Sequence, residues 1–200
     1  FNPAELKEIA KVNISTTGNA TVFGDLSTNT GNGGAVGSFT RAIFGAGVTP
    51  AASPAAVDKI EYVQFATEGN AASFGDLTSG GERTNAASNS TRGLWFGGFD
   101  NPNYLNVINY ITMASTGNSS DFGDLTSSRR SLAASASPTR AIMAGGDTGS
   151  LVNTIDFVEI DTTGNATDFG DLTSTNQNAG GAASSTRYVC VGGNTPTPSS

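Results

Sequence analysis

The stretch Gly117-Asn118-Ser119-Ser120-Asp121-Phe122-Gly123-Asp124-Leu125 decides how this chain is read, because its pattern recurs. Gly-Asn-x-x-x-Phe-Gly-Asp-Leu begins at Gly18, Gly69, Gly117 and Gly164, in steps of 51, 48 and 47 residues. A period of this size marks a repeat architecture, in which one supersecondary unit is copied because it cannot bury its own faces alone.

A second motif keeps step with the first. Thr-Arg, a short apolar run and a Gly-rich end occur at Thr40-Arg41 to Gly47, Thr91-Arg92 to Gly98, Thr139-Arg140 to Gly146, and Thr186-Arg187 to Gly193. Each Phe-Gly-Asp-Leu leucine precedes the next of these arginines by 15 residues in all four copies, which indicates a packed connection. The distance from arginine to the following isoleucine varies: 19 residues to Ile60, 16 to Ile108 and 15 to Ile155. Length variation confined to one loop per repeat is what stacked modules show.

Each repeat reads as four short strands. The first is built of small residues, such as Ala133 to Ala136 or Ala182 to Ser185. The second carries the arginine. The third, such as Ile60 to Phe65, Ile108 to Met113 or Ile155 to Ile160, is the most apolar. The fourth runs into Phe-Gly-Asp-Leu. Gly-Asn between the last two reads as a tight turn, since both residues tolerate positive φ. In the third strand Ile155 and Phe157 share one face while Val158 and Ile160 share the other. Apolar residues on both faces require a sheet covered on both sides, as propeller blades are.

Four strands per repeat, this period and a Gly-Gly doublet (Gly97-Gly98, Gly145-Gly146, Gly192-Gly193, with Ala46-Gly47 in one copy) resemble kelch-type β-propeller blades. The resemblance covers essentially the whole chain. It implies an all-β fold, a four-bladed β-propeller. Blades fall at about 33–77, 84–125 and 131–172, and a fourth is made from halves 1–26 and 179–200 of one 200-residue domain. Phe-Gly-Asp-Leu stands where ordinary kelch repeats have other residues, and their spaced Tyr and Trp are absent. Ligase-adaptor and galactose-oxidase roles therefore do not carry over. Similar Phe-Gly-Asp-Leu repeats are associated with bacterial and phage surface and structural proteins.

The chain begins at Phe1 and not at Met, which reads as a processed form or a fragment. Pro3 aligns with Pro54 and Pro102, so the first segment supplies strands three and four, and the last supplies strands one and two. Residues 9–26 are expected to pair with 182–193 and close the ring, removing two exposed edges. Pairing between molecules, or one period of a longer array, are the other two readings. Asn2 to Glu8 reads as one capped helical turn, and Thr195 to Ser200 as a disordered tail.

Charged residues make up 14% of the chain and the net charge is −7. That argues against nucleic acid and anionic membrane surfaces, which call for a basic face. No apolar run approaches the ~20 residues of a spanning helix, so no membrane insertion is expected. There is no histidine, and Cys190 is the single cysteine. The commonest general base and metal ligand is thus missing, and no internal disulfide forms.

Asp25, Asp76, Asp124 and Asp171 recur at one position. One carboxylate per repeat does not gather the 6–8 oxygens that calcium takes, so these read as turn residues bonded to backbone. Arg41, Arg92, Arg140 and Arg187 read as ties from each blade to a carboxylate or to carbonyls of the next. Phe44, Trp95, Met143 and Cys190 are equivalent and read as core. Loops 48–59 and 99–107, with Val48, Phe99, Tyr104 and Leu105, read as an exposed contact surface on one face.

No catalytic, cofactor or metal site breaks the symmetry, and a non-enzyme is expected. The reading is an extracellular, cell-surface or virion structural module that associates with copies of itself in a filament or surface assembly. The alternative is a phage-tail or cell-surface adhesin that binds glycan or protein through its loops.

Overall fold

The computed structural model describes residues 6–49 and 56–195. Residues 1–5 and 196–200, and with them most of the expected helical turn and tail, lie outside the described residues. The described chain is all-β, with sixteen strands in antiparallel sheets and no helix.

The strands follow the repeat. A two-stranded sheet pairs β1 (Glu8–Lys11) with β2 (Thr21–Asp25). Three four-stranded meanders follow. The first holds β3 (Gly34–Gly37), β4 (Arg41–Gly45), β5 (Lys59–Gln64) and β6 (Ala72–Asp76). The second holds β7 (Asn85–Ser88), β8 (Arg92–Asp100), β9 (Asn103–Thr112) and β10 (Ser120–Asp124). The third holds β11 (Ala133–Ala136), β12 (Arg140–Ala144), β13 (Thr154–Glu159) and β14 (Thr167–Asp171). The last sheet again has two strands, β15 (Gly180–Ala183) and β16 (Tyr188–Val191).

The Phe-Gly-Asp motif is a β-bulge. In the first meander Ile60 faces Gly75 while Glu61 faces Ser73, so Phe74 is the extra residue. Phe23, Phe122 and Phe169 are skipped in the same way. A bulge bends the strand and re-aims one side chain. Here it turns the phenylalanine toward the next sheet, where Phe74 and Phe122 are buried.

The core consequently lies between sheets. One cluster joins Ile43 and Ile60 to Phe74, Trp95, Ile111 and Met113. The other joins Leu94, Phe96 and Phe122 to Met143, Val158 and Ile160. Trp95 is fully buried, and its indole N–H donates to the carbonyl of Gly34 at 3.2 Å. A Cβ at Gly34 would stand 2.9 Å from that of Ala86 and 3.0 Å from the Trp95 ring, so the small first strand is what admits the indole.

Two expectations change. The segment 99–107 is not a loop: β8 and β9 run on as a hairpin in which Phe99 faces Tyr104 and Asp100 faces Asn103. The Phe99–Tyr104 aromatic pair, with centroids 5.1 Å apart, extends the pairing past the glycines. Among the described residues, the expected ring-closing bonds between 9–26 and 182–193 are also absent, and β1–β2 and β15–β16 are separate sheets. Each is held by its sequence neighbour, β1–β2 by the first meander and β15 by β11.

Trp95→Ala should cost about 3–5 kcal/mol, because it empties a site that the surrounding glycines cannot refill. Urea denaturation followed by circular dichroism checks this.

Candidate functional site

The repeated residues build a seam between successive sheets. Gly69 and Ala71 donate their N–H groups to the carbonyls of Phe23 and Asp25. Gly117 and Ser119 do the same for Phe74 and Asp76, and Gly164 and Ala166 for Phe122 and Asp124. The asparagine of each Gly-Asn adds a side-chain bond. Asn70, Asn118 and Asn165 accept through Oδ1 from the N–H of Asp25, Asp76 and Asp124 at 3.0–3.1 Å. The approach is close. A Cβ on Gly24, Gly75 or Gly123 would stand 2.0, 2.2 or 2.4 Å from the carbonyl oxygen of Gly69, Gly117 or Gly164. The second residue of the motif was read as a turn former. Its place in the structure is this inter-sheet bond, which no local pattern reveals.

Two of the recurrent arginines, Arg41 and Arg92, lie across the same seam. Arg41 donates through Nη1 to the carbonyls of Met113 and Ala114, and Arg92 to that of Ile160 at 2.8 Å. Their guanidinium groups also stack on Tyr62 and Tyr110 at 4.9 and 5.0 Å from the ring centroid. Arg140 stacks on Phe157 in the same manner, but its Nε bonds to Glu159. Of the recurrent aspartates, Asp25 meets Lys7 at 3.3 Å. Among the described residues, no group of three or more Cys, Asp and Glu is placed to hold a metal, and no helix is long and apolar enough to cross a membrane.

A second polar contact ties each sheet to the next at the residue after the motif leucine. Ser27 N–H donates to Glu61, Thr78 N–H to Asn109, and Thr126 N–H and hydroxyl to Asp156. Where the acceptor is charged, a cation accompanies it. Lys59 stands 3.5 Å from Glu61, and Arg129 stands 3.0 Å from Asp156. Asn109 is neutral and takes the Ser119 hydroxyl instead. Arg129 and Asp156 are fully buried, whereas Lys59 at the equivalent ion pair is part-exposed. Burial pulls the Arg129 pKa down, and the Asp156 carboxylate opposes that pull. The sequence reading missed this pair because its members lie 27 residues apart, Arg129 in the connection between β10 and β11 and Asp156 on β13.

The proposed contact residues are less open than expected. Val48 is buried, since its backbone bridges to Gly31 and Ala56, and it is withdrawn as a contact residue. Phe99, Tyr104 and Leu105 are half-buried. Arg130 lies over both rings, at 4.3 and 5.1 Å, and is held by Asp147 at 3.0 Å. Phe44 and Cys190 are half-buried, unlike their fully buried equivalents Trp95 and Met143.

The large exposed apolar side chains lie largely on the two end sheets and beside them. Val12 and Ile14 follow β1 at 61% and 98% exposure, and Val22 lies on β2. Val189 and Val191 lie on β16, and Phe169 on β14 is 58% exposed while its equivalents Phe74 and Phe122 are buried. Strands β1 and β16 each have one neighbour and one open edge.

Comparison of the sequence with known protein families and with curated proteins finds no match.

Asp156→Asn should cost about 3–5 kcal/mol, because it strands the Arg129 charge in the interior. Arg129→Met with Asp156→Asn should recover most of that loss. Urea denaturation of the wild type and both variants checks the order.

Proposed function

We propose that this chain is a non-catalytic structural module that self-associates, built as a four-bladed, kelch-like propeller whose fourth blade is shared between two half-sheets. The observation that carries this reading is the pair of open strand edges, β1 and β16, with exposed valines and Ile14 beside them. An unpaired edge flanked by apolar side chains is a template for another strand unless something covers it. Further support for a common axis comes from the small first strands. Strand β7 packs on β3, β11 on β7 and β15 on β11. The residues just before them form a hydrogen-bonded series, in which Arg83 donates to Asn32, Ser131 to Arg83 and Asn178 to Ser131. All four have φ between 56° and 58°, the mark of one backbone device used in each repeat.

The charged groups Arg129 and Asp156 are inside the protein and pair with each other, which fits a structural role. The setting proposed for such a module is extracellular, on a cell surface or on a virion.

One observation favours the second reading, an adhesin. The β8–β9 hairpin gathers Phe99, Tyr104 and Arg130 beneath exposed Asp100, Asn101 and Asn103, a mix of aromatic platform and hydrogen-bonding groups that suits a glycan. Binding on a glycan array that Tyr104→Ala abolishes would support it.

Self-association predicts that apparent mass by light scattering rises with protein concentration, and that negative stain shows regular assemblies. A chain that stays monomeric throughout would overturn the reading.

A further inference from the structure

The internal seams supply a template for the open ends, and the geometry points to one docking mode. The β1–β2 sheet of a second copy of this chain seats against Phe169 of the first, with β1 paired antiparallel to β16. The mode rests on the self-association reading above and names its interface.

On its outer strand the third meander presents one half of a seam that no Gly-Asn segment among the described residues covers, and Phe169 borders a cavity toward Arg187 and Tyr188 of the end sheet. Phe74 is packed in one cluster with Ile111 and Met113 of the next sheet, and Phe122 with Val158 and Ile160. By repeat position the residues that would cover Phe169 are Val12 and Ile14, and all three are exposed. The carbonyls of Phe23, Phe74 and Phe122, and of Asp25, Asp76 and Asp124, accept from the next Gly-Asn segment. The equivalent carbonyls of Phe169 and Asp171 face no such segment within the described chain, and the equivalent donors are Gly18 and Ala20.

The glycines repeat the argument. Gly24, Gly75 and Gly123 are each approached by a backbone carbonyl closer than a Cβ would allow, whereas Gly170 has nothing within 4 Å of where a Cβ would stand. Its φ of +135° also favours glycine, so the residue alone is not diagnostic. The empty space beside it marks where the turn at Gly18 of a second copy would lie. Arg140 is free of the carbonyl that Arg41 and Arg92 reach, and the matching acceptor is the Ile14 carbonyl.

The register follows from the complete sheets. Arg140 faces Glu159, Met143 faces Asp156 and Ala144 faces Ile155. Transferred by repeat position, Arg187 faces Asn13, Cys190 faces Ala10 and Val191 faces Ile9 of the second copy. Two internal interactions are missing from this junction. Ala10 stands where Glu61, Asn109 and Asp156 accept from the previous sheet, and Lys11 stands where Tyr62, Tyr110 and Phe157 carry an arginine. Lys11 is instead paired with Glu68 of its own chain, which draws its ammonium away from Arg187. The junction is therefore the weakest seam of the series, as suits a reversible contact. Because the two surfaces differ, the contact is head-to-tail and propagates unless the rotation closes.

The single native cysteine makes the test direct. Residues opposite each other in an antiparallel pair have Cα atoms about 4.5–5.5 Å apart, within the span a disulfide bridges. Ala10→Cys in the full chain, under mild oxidation, should give a ladder of dimers and higher multimers on non-reducing gels. Peptide mapping should show 10 linked to 190. Ala10→Cys with Cys190→Ser should give no ladder, and neither should Lys11→Cys, which is one residue out of register. Ile14→Asp and Phe169→Asp, both at exposed positions, should keep the circular dichroism spectrum and raise the concentration at half-assembly about tenfold or more.

A 10–190 link confined to monomers would overturn docking of a second copy in favour of closure within one chain. Concentration-dependent growth without the 10–190 link, or growth untouched by Ile14→Asp, would overturn this mode while leaving self-association standing. Absence of both growth and link would overturn both.

Discussion

Each sheet is fastened to the next by the carbonyls of its Phe-Gly-Asp strand, and the rest of the structure is arranged around that contact. Two backbone bonds and one asparagine bond recur at every internal seam. Each is worth only about 1 kcal/mol net, whereas each side chain buried in the clusters between sheets contributes about 1.5–3 kcal/mol. Burial of Phe74, Trp95, Phe122 and their neighbours therefore drives the stacking. The seam bonds set its register, because the backbones meet there closely enough that glycine is required on the outer strand.

The bulge links these two roles. Skipping one residue in the pairing of the third and fourth strands throws the phenylalanine sideways into the next sheet's core. It also presents the following glycine to the incoming turn. One four-residue motif thus supplies an apolar knob, a close approach and two acceptors.

Charge is handled locally and differs between repeats. The acceptor that receives Ser27, Thr78 or Thr126 is glutamate, asparagine or aspartate, and a lysine or arginine accompanies it only where it is ionised. A lone buried carboxylate would be costly, while a hydrogen-bonded amide is not. The architecture tolerates either solution, and this is where the repeats are free to diverge.

The period, the strand count per repeat, the apolar third strand and the equivalence of Phe44, Trp95, Met143 and Cys190 were legible in the chain, because repetition exposes which positions answer to the same environment. Arg41 and Arg92 make the tie to the next sheet that was expected of all four recurrent arginines, although the carbonyls they reach were not legible, while Arg140 meets Glu159 of its own sheet. Arg41 and Met113, or Asn118 and Asp76, meet across sheets, and no local pattern encodes such a distance. Nor does any local pattern encode the pairing of Arg129 with Asp156. The loop at 99–107 was misjudged because a bulge at Gly97 and Gly98 let strand pairing resume beyond the glycines that usually end it.

The sequence by itself determined the unit: four strands and a face on each side that must be covered. Only the tertiary structure decided what covers each face. It shows three seams made within the chain, the last motif phenylalanine, Phe169, left exposed, and two end sheets held by different neighbours. The reason is physical: side-chain pattern dictates that a surface must be buried, but the angle at which one sheet leans on the next dictates which surface arrives to bury it.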